Sequence, residues 1–291
     1  MNMRIRSGLV VVGALVLLLA AELTLRLRGW LEIPVYVVDA RYEYMYAPLQ
    51  DMYAGHIHVR TNRYGMRSTE PRKAKKRVLF IGDSVINGTD RVTHDSLATT
   101  LVEPMLCAAL GTDVQVLNVS AASWGPDNAV AFLKAHGTFD ADVIVAVFSS
   151  HDAFDNMDFA PTVGVHPGYP GESPLFALQR LPLRLGWVGR MEQAPSQPVF
   201  NSGWRDLSEL CAKTQTPLLV WHHAERAELD AAAWHGEGQL LEDSLMAMHI
   251  ARIDGHGVLR IEDYADFIHL NAAGHRTLAE VLVPIIAAQL R

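Results

Sequence analysis

The sequence predicts a three-layer α/β fold: a central parallel sheet of about five strands, helices on both of its faces, and a membrane helix in front. Three observations point there. Short aliphatic runs recur between residues 77 and 291, and helical stretches separate them. One run, Val143-Ile144-Val145-Ala146-Val147-Phe148, is apolar throughout and so suited to burial on both faces. Strands joined by helical crossovers build parallel sheets. The 291 residues are 49% hydrophobic and 20% charged, enough for one large domain with a full core.

Residues 1–30 come first. Arg4 and Arg6 precede the apolar stretch Gly8 to Ala21, and Glu22-Leu23-Thr24-Leu25-Arg26-Leu27-Arg28 follows. Ile5 through Leu25 makes a marginal span by the usual ~20-residue requirement, with Glu22 near its far edge. An uncleaved signal anchor is the preferred reading. The alternatives are a cleaved signal peptide, with Ala20-Ala21 as its small residues, and a buried helix. Anchor and signal alike export the rest of the chain, to a bacterial periplasm or the cell exterior. Arginines on both flanks bias the N-terminus inward only slightly.

Residues 31–76 form an extension rich in Tyr and Arg. His56 and His58 there have the spacing of one strand face and could hold a metal, but no third ligand accompanies them, so surface or packing roles are expected. The run Arg72-Lys73-Ala74-Lys75-Lys76-Arg77 reads as a solvated lead-in to the first strand. With a net charge of −7, the chain carries no electrostatic footprint for nucleic acid.

The catalytic region, residues 77–291, then alternates. Strands are expected at Val78–Ile81, Val114–Val119, Val143–Phe148, Leu218–Trp221 and Val258–Ile261, with helices at Ser96–Leu110, Asp127–His136 and Leu240–Arg252. Asn271 is placed to cap a final helix. Residues 155–200 break the rhythm, holding seven of the 14 prolines, and read as a lid, a binding loop or disorder, with Phe176 and Trp187 expected to serve ordinary packing ahead of lining a pocket. Cys107 and Cys211 lie in helix-like stretches and read as free thiols rather than a disulfide; no Cys-x-x-Cys calls for zinc.

The chemistry sits at the strand ends. Gly82-Asp83-Ser84 follows the first aliphatic run directly, and Asp266-Phe267-Ile268-His269 precedes the last helix. A serine hydroxyl is a poor nucleophile unless a base lies within hydrogen-bond reach and a third group orients that base. Active sites of open α/β sheets lie at the carboxyl ends of strands, and Ser84 and His151 both follow such ends. Taken singly, these residues read as a cap serine, a buried histidine and a capping acid. His222 and His223 are expected to pack or to lie at the surface, and His275 to serve structure at the first turns of the last helix.

The ordered set Gly82-Asp83-Ser84, Gly125 and Asp266-x-x-His269 resembles the SGNH (GDSL-type) hydrolases over roughly residues 77–291. The resemblance implies a flavodoxin-like sheet, acyl-ester chemistry without a metal or other cofactor, and an open site. It implies Ser84 as nucleophile, His269 as base, Asp266 as orienting acid, and the backbone N–H groups of Ser84 and Gly125 as oxyanion donors, with Asp83 and Asp152 in support. Where the family has Gly-x-Asn-Asp, this chain has Ser149-Ser150-His151-Asp152, so His151 takes the place of the oxyanion-hole asparagine. A neutral imidazole can donate one N–H there if Asp152 or a backbone group fixes its tautomer.

Three functions follow. The first is a membrane-anchored esterase removing acyl groups, acetyl above all, from a carbohydrate or envelope glycan. The second is an O-acetyltransferase acting on an exopolysaccharide with a membrane partner that donates the acyl group. The third is an inactive carbohydrate-binding or assembly protein.

Overall fold

A computed structural model describes residues 3–185 and 199–291. Five parallel strands form the central sheet: β1 (Lys76–Gly82), β2 (Val114–Ser120), β3 (Val143–Ser149), β4 (Leu218–His223) and β5 (Ala251–Asp254). Their order across the sheet is β2-β1-β3-β4-β5, the flavodoxin-like arrangement. The strand order reverses between β1 and β3, and a crevice at the carboxyl ends of such strands is where this architecture places ligands.

The period-two alternation of side chains divides the core between the two faces. Val78, Phe80, Val143, Val145 and Val147 pack against α1 (Ala98–Leu110) and α5 (Ala272–Leu290). Leu79, Ile81, Ile144, Ala146 and Phe148 pack against α2 (Pro126–His136), α3 (Gly203–Thr214) and α4 (Gly236–Ala247). Asn271 caps α5 as expected, its side chain accepting from the N–H groups of Ala273 and Gly274.

Two elements differ from the sequence expectation. The fifth strand is Ala251–Asp254, not Val258–Ile261. It is a short, largely exposed edge strand, so it lacks the aliphatic run that marks the others. Leu259 is buried from a loop instead, and residues 261–263 form a 3-10 turn. The helix expected over Leu240–Arg252 runs over Gly236–Ala247, because its last predicted residues belong to the edge strand. The helix-like stretch around Cys211 is α3, which buries Trp204, Leu207 and Cys211 at helical spacing.

Residues 31–76 do not stand apart. Two hairpins, Tyr36–Asp39 with Glu43–Tyr46 and Asp51–Ala54 with Ile57–Arg60, lead into β1. Tyr36, Tyr42, Tyr44, Met45, Tyr46 and Met66 share one apolar cluster with Leu79 and Ile81. The N-terminal helix, Met3–Arg28, contains a 21-residue stretch, Gly8–Arg28, long and apolar enough to cross a membrane. It stops at Gly29, whose φ of +61° and 2.3 Å approach of a would-be Cβ to the Tyr53 carbonyl oxygen both require glycine.

Candidate active site

β1 ends at Gly82, and Ser84 opens a single helical turn, Ser84–Asn87. Asp83 caps that turn, its Oδ1 accepting from the Val85 N–H at 2.9 Å. Gly82 must be small, since a Cβ would lie 2.3 Å from the Val147 carbonyl oxygen on β3. The sharp turn leaves Ser84 half-buried while Asp83 and Val85 on either side are buried.

A tight loop between Tyr264 and Leu270, closed by their antiparallel bridge, brings Asp266 and His269 to the same place. His269 Nε2 lies 2.9 Å from Ser84 Oγ, and His269 Nδ1 lies 2.8 Å from Asp266 Oδ2. Asp266 Oδ1 accepts the N–H groups of His269 (2.8 Å) and Ile268 (3.0 Å). Burial alone would raise the Asp266 pKa, but these backbone donors and the His269 ring outweigh it and hold the carboxyl at about 2. Burial lowers the His269 pKa and the Arg91 charge adds to that, against the pull of Asp266. A neutral imidazole with its acceptor nitrogen on the serine is the arrangement of a general base.

His151 follows β3 on the 3-10 turn Ser150–Ala153. Its Nδ1 is 3.3 Å from Glu225 Oε1, and its Nε2 is 3.8 Å from Asp152 Oδ1. Burial would lower its pKa, but Asp152, Glu225, Asp83 and Asp155 together push it up to about 10. These carboxylates favour the protonated ring, where the sequence suggests a neutral donor. Burial raises the Asp83 and Asp152 carboxyls, Asp83 to about 6, and the His151 charge opposes that rise. Asp83, His151 and Asp152 bring ligand atoms within 4.8 Å of one another, a spacing able to hold a metal ion. Asp152 also fixes the turn, accepting the Ser149 N–H at 2.6 Å.

Gly125 departs from its expected role. Its N–H donates to Asn128 Oδ1 at 2.9 Å as the cap of α2, so it is not aimed at a substrate oxygen. The residue is glycine for another reason: a Cβ would lie 2.0 Å from the Asp155 carbonyl oxygen.

Several supporting residues escaped the sequence reading. Arg67, fully buried, donates to the carbonyls of Asn87, Thr89, Val92 and His58, tying the N-terminal extension to the loop after the nucleophile. Asn87 Nδ2 donates to the Ser120 carbonyl, and Ser120 Oγ to Asn118 Oδ1, forming a buried polar base under the turn. Asn118 and Ser120 were visible as polar interruptions in an aliphatic strand. Arg91 Nη2 lies 3.0 Å from Asp266 Oδ2. His223, expected to pack or to lie at the surface, is buried and bonds through Nε2 to the Ile268 carbonyl at 2.8 Å, and so holds the loop of His269.

His222 is buried under Trp234, rings parallel with centroids 3.5 Å apart, and lies 3.2 Å from Ser150 Oγ and 2.7 Å from Glu242 Oε1. His275 accepts the Ala98 N–H and joins α5 to α1, a structural role as expected. His56 is exposed in a hairpin turn while His58 sits on the strand bonded to Asp51, so the two share no face. Cys107 and Cys211 are free.

Beside the triad, a cleft of about 390 Å³ is lined by Tyr36, Tyr46, Thr89, Arg91, Ala122 and Tyr169. Tyr169 belongs to the Pro/Gly-rich insert, whose Pro170 carbonyl accepts the Tyr36 N–H. This part of the insert is thus a wall of the cleft; Trp187 lies outside the described residues. A cavity of about 510 Å³ lined by Cys211, Pro217 and Ile250 lies at the amino ends of β4 and β5, away from this chemistry.

No protein-family model matches the sequence, and no curated protein does. Among solved structures the chain is similar to TesA (TM-score 0.47, 14% identity, covering 74% of this chain and 99% of that one). It is similar to a lipase/acylhydrolase from Enterococcus faecalis (0.45, 14%, 74% and 96%). A carbohydrate acetylesterase family member from Sinorhizobium meliloti is a third (0.40, 19%, 74% and 99%).

Proposed function

We propose that this chain is a serine-dependent esterase, anchored by its N-terminal helix and exported, that removes acetyl groups from a carbohydrate through an acyl-enzyme. The observation that carries the reading is the continuous line from Ser84 Oγ through His269 to Asp266 at a solvent-reachable strand end. His269 takes the Ser84 proton as Oγ attacks the ester carbonyl, and Asp266 stabilises the imidazolium that forms. The developing oxyanion is met by the Ser84 N–H and the charged His151. His269 then returns its proton to the leaving sugar oxygen. Water, activated by the same imidazole, releases acetate from Ser84. The cleft beside Arg91, with the half-buried Tyr169 on its wall, supports a sugar substrate, since an aromatic ring with a polar tip suits a ring that is apolar on its faces and hydroxylated at its rim.

The test uses the full-length protein and Ser84→Ala in detergent, given an activated acetyl ester with a sugar acceptor. Ser84-dependent release of acetate is expected. Ser84-dependent acetylated sugar would make the protein a transferase fed by a membrane acyl donor, and equal behaviour of the two proteins would end the serine mechanism.

A further inference from the structure

The far end of the N-terminal helix does not hang free. Glu22, which directly follows the apolar stretch Gly8–Ala21 of the span, is 2.7 Å from Arg26 Nε. It also accepts the N–H groups of Ala177 (2.7 Å) and Leu178 (3.2 Å) from the insert. Arg26 Nη2 donates to the carbonyls of Pro174 (3.0 Å) and Leu175 (2.6 Å). Two charged helix residues therefore satisfy four backbone groups of one insert segment. That segment turns its apolar side chains outward: Leu175 is 77% exposed, Phe176 50%, Leu185 50% and Leu181 37%. Leu23, Leu27 and Trp30 are exposed on the helix end next to it.

We propose that Pro174–Leu185 is a second membrane-contacting element, seated in the interfacial layer of the bilayer that the helix crosses. The inference rests on reading the helix as a membrane span, and on continuity with it. At 1.5 Å per residue, the 21-residue span is about 31 Å long, close to the hydrocarbon thickness. Glu22 then lies about 9 Å before Arg28 along the axis, so whatever bonds to it sits at the edge of the acyl region. Backbone placed at that depth must have its polar groups satisfied within the protein, and Glu22 and Arg26 do this here. Trp30 stands where aromatic residues anchor spans at the interface. The cleft wall begins at Ile33 and Pro34; four residues of chain reach at most about 14 Å, so the cleft is held close above the bilayer surface.

The experiment places single cysteines in the full chain, with Cys107→Ser and Cys211→Ala removing the native thiols. Leu175→Cys, Phe176→Cys, Leu15→Cys and Met246→Cys are labelled with an environment-sensitive fluorophore and reconstituted in phosphatidylcholine/phosphatidylglycerol nanodiscs. Nitroxide lipids then quench from a shallow or a deep position. Labels at 175 and 176 should be quenched several-fold more by the shallow nitroxide than the label at 246, and the label at 15 by the deep one. If 15 is quenched but 175 and 176 respond like 246 and remain open to aqueous iodide, the inference fails and the span stands. Shielding of 175 and 176 from both lipid and iodide would mean a protein partner covers them, which also overturns it. A label at 15 that no lipid quenches removes the span and this inference together.

Discussion

Ser84, His269 and Asp266 are linked at 2.9 and 2.8 Å, and Ser150, His222 and Glu242 at 3.2 and 2.7 Å. Distances alone do not separate these two lines of serine, histidine and carboxylate. Their surroundings do. Ser84 is within reach of solvent beside the cleft, whereas Ser150, His222 and Glu242 are all buried. Ser150 Oγ also donates its proton to Glu228 Oε1 at 2.7 Å, so it has no second proton to give to His222 Nε2, whose ring is held on its other side by Glu242. A buried serine whose one proton already goes to a carboxylate is neither free for that ring to activate nor open to substrate. The second line instead braces the turn carrying His151, because Glu228 Oε2 also accepts the N–H of Glu225, the partner of His151. Catalytic capacity lies in the direction of the protons and the access to substrate.

The comparison is broken most directly at the two serines. Ser84→Ala should lower kcat on the order of 10⁴-fold or more, the usual consequence of losing a triad nucleophile. A fluorophosphonate probe should modify Ser84 and leave Ser150 untouched, read by peptide mass spectrometry. Probe on Ser150 would reverse the assignment of the two lines.

The next largest effect belongs to His151. His151→Ala should cost kcat on the order of 10²- to 10³-fold with little change in KM, as for loss of one oxyanion donor. His151→Asn keeps a donor and should retain much of the activity near neutral pH. If the imidazolium is the working form, the wild-type rate also falls as pH rises through about 10, and the asparagine variant lacks that limb. Equal, negligible losses in both variants would remove His151 from the oxyanion role.

Ser150→Ala sharpens the contrast from the other side. Glu228 keeps backbone N–H donors from Glu225 and His235. The variant should therefore lose about 1 kcal/mol of stability in a denaturant titration and hold kcat within a few-fold. Loss of activity comparable to Ser84→Ala at intact stability would show that the buried line takes part in the chemistry.

How legible was this in the sequence? The line Ser84–His269–Asp266 was readable because Ser84 falls at the end of a strand that an uninterrupted aliphatic run announces, and Asp266 and His269 are close enough in sequence to share one loop. Only part of the upward push on the His151 pKa was readable. Asp152, the largest contributor to it, is the next residue in sequence, but Glu225 arrives from the loop after β4, 74 residues away, and no local pattern marks that meeting. Gly125 misled because glycine answers close backbone approach as readily as it answers an oxyanion, and only the Asn128 bond separates the two. The edge strand was lost because exposure removes the hydrophobic signal on which strand reading depends.

Arg91 belongs with these long-range partners and gives the finest test. Its guanidinium meets Asp266 on one side, and its charge disfavours the imidazolium of His269. The base works only when neutral, so kcat/KM falls on the acid side as pH drops through the His269 pKa, which lies below its ordinary 6.5. Removing the cation in Arg91→Gln takes away one of the groups holding that pKa down. The acid limb should therefore move to higher pH, while the rate on the plateau above it changes little. Because the Arg91 side chain is 40% exposed, the displacement should shrink as salt is added. A pH series of kcat/KM at low and high ionic strength measures both. An unmoved limb would leave Arg91 as a wall of the cleft rather than a regulator of the base. A fall in the plateau itself would instead mean that its bond to Asp266 positions the acid.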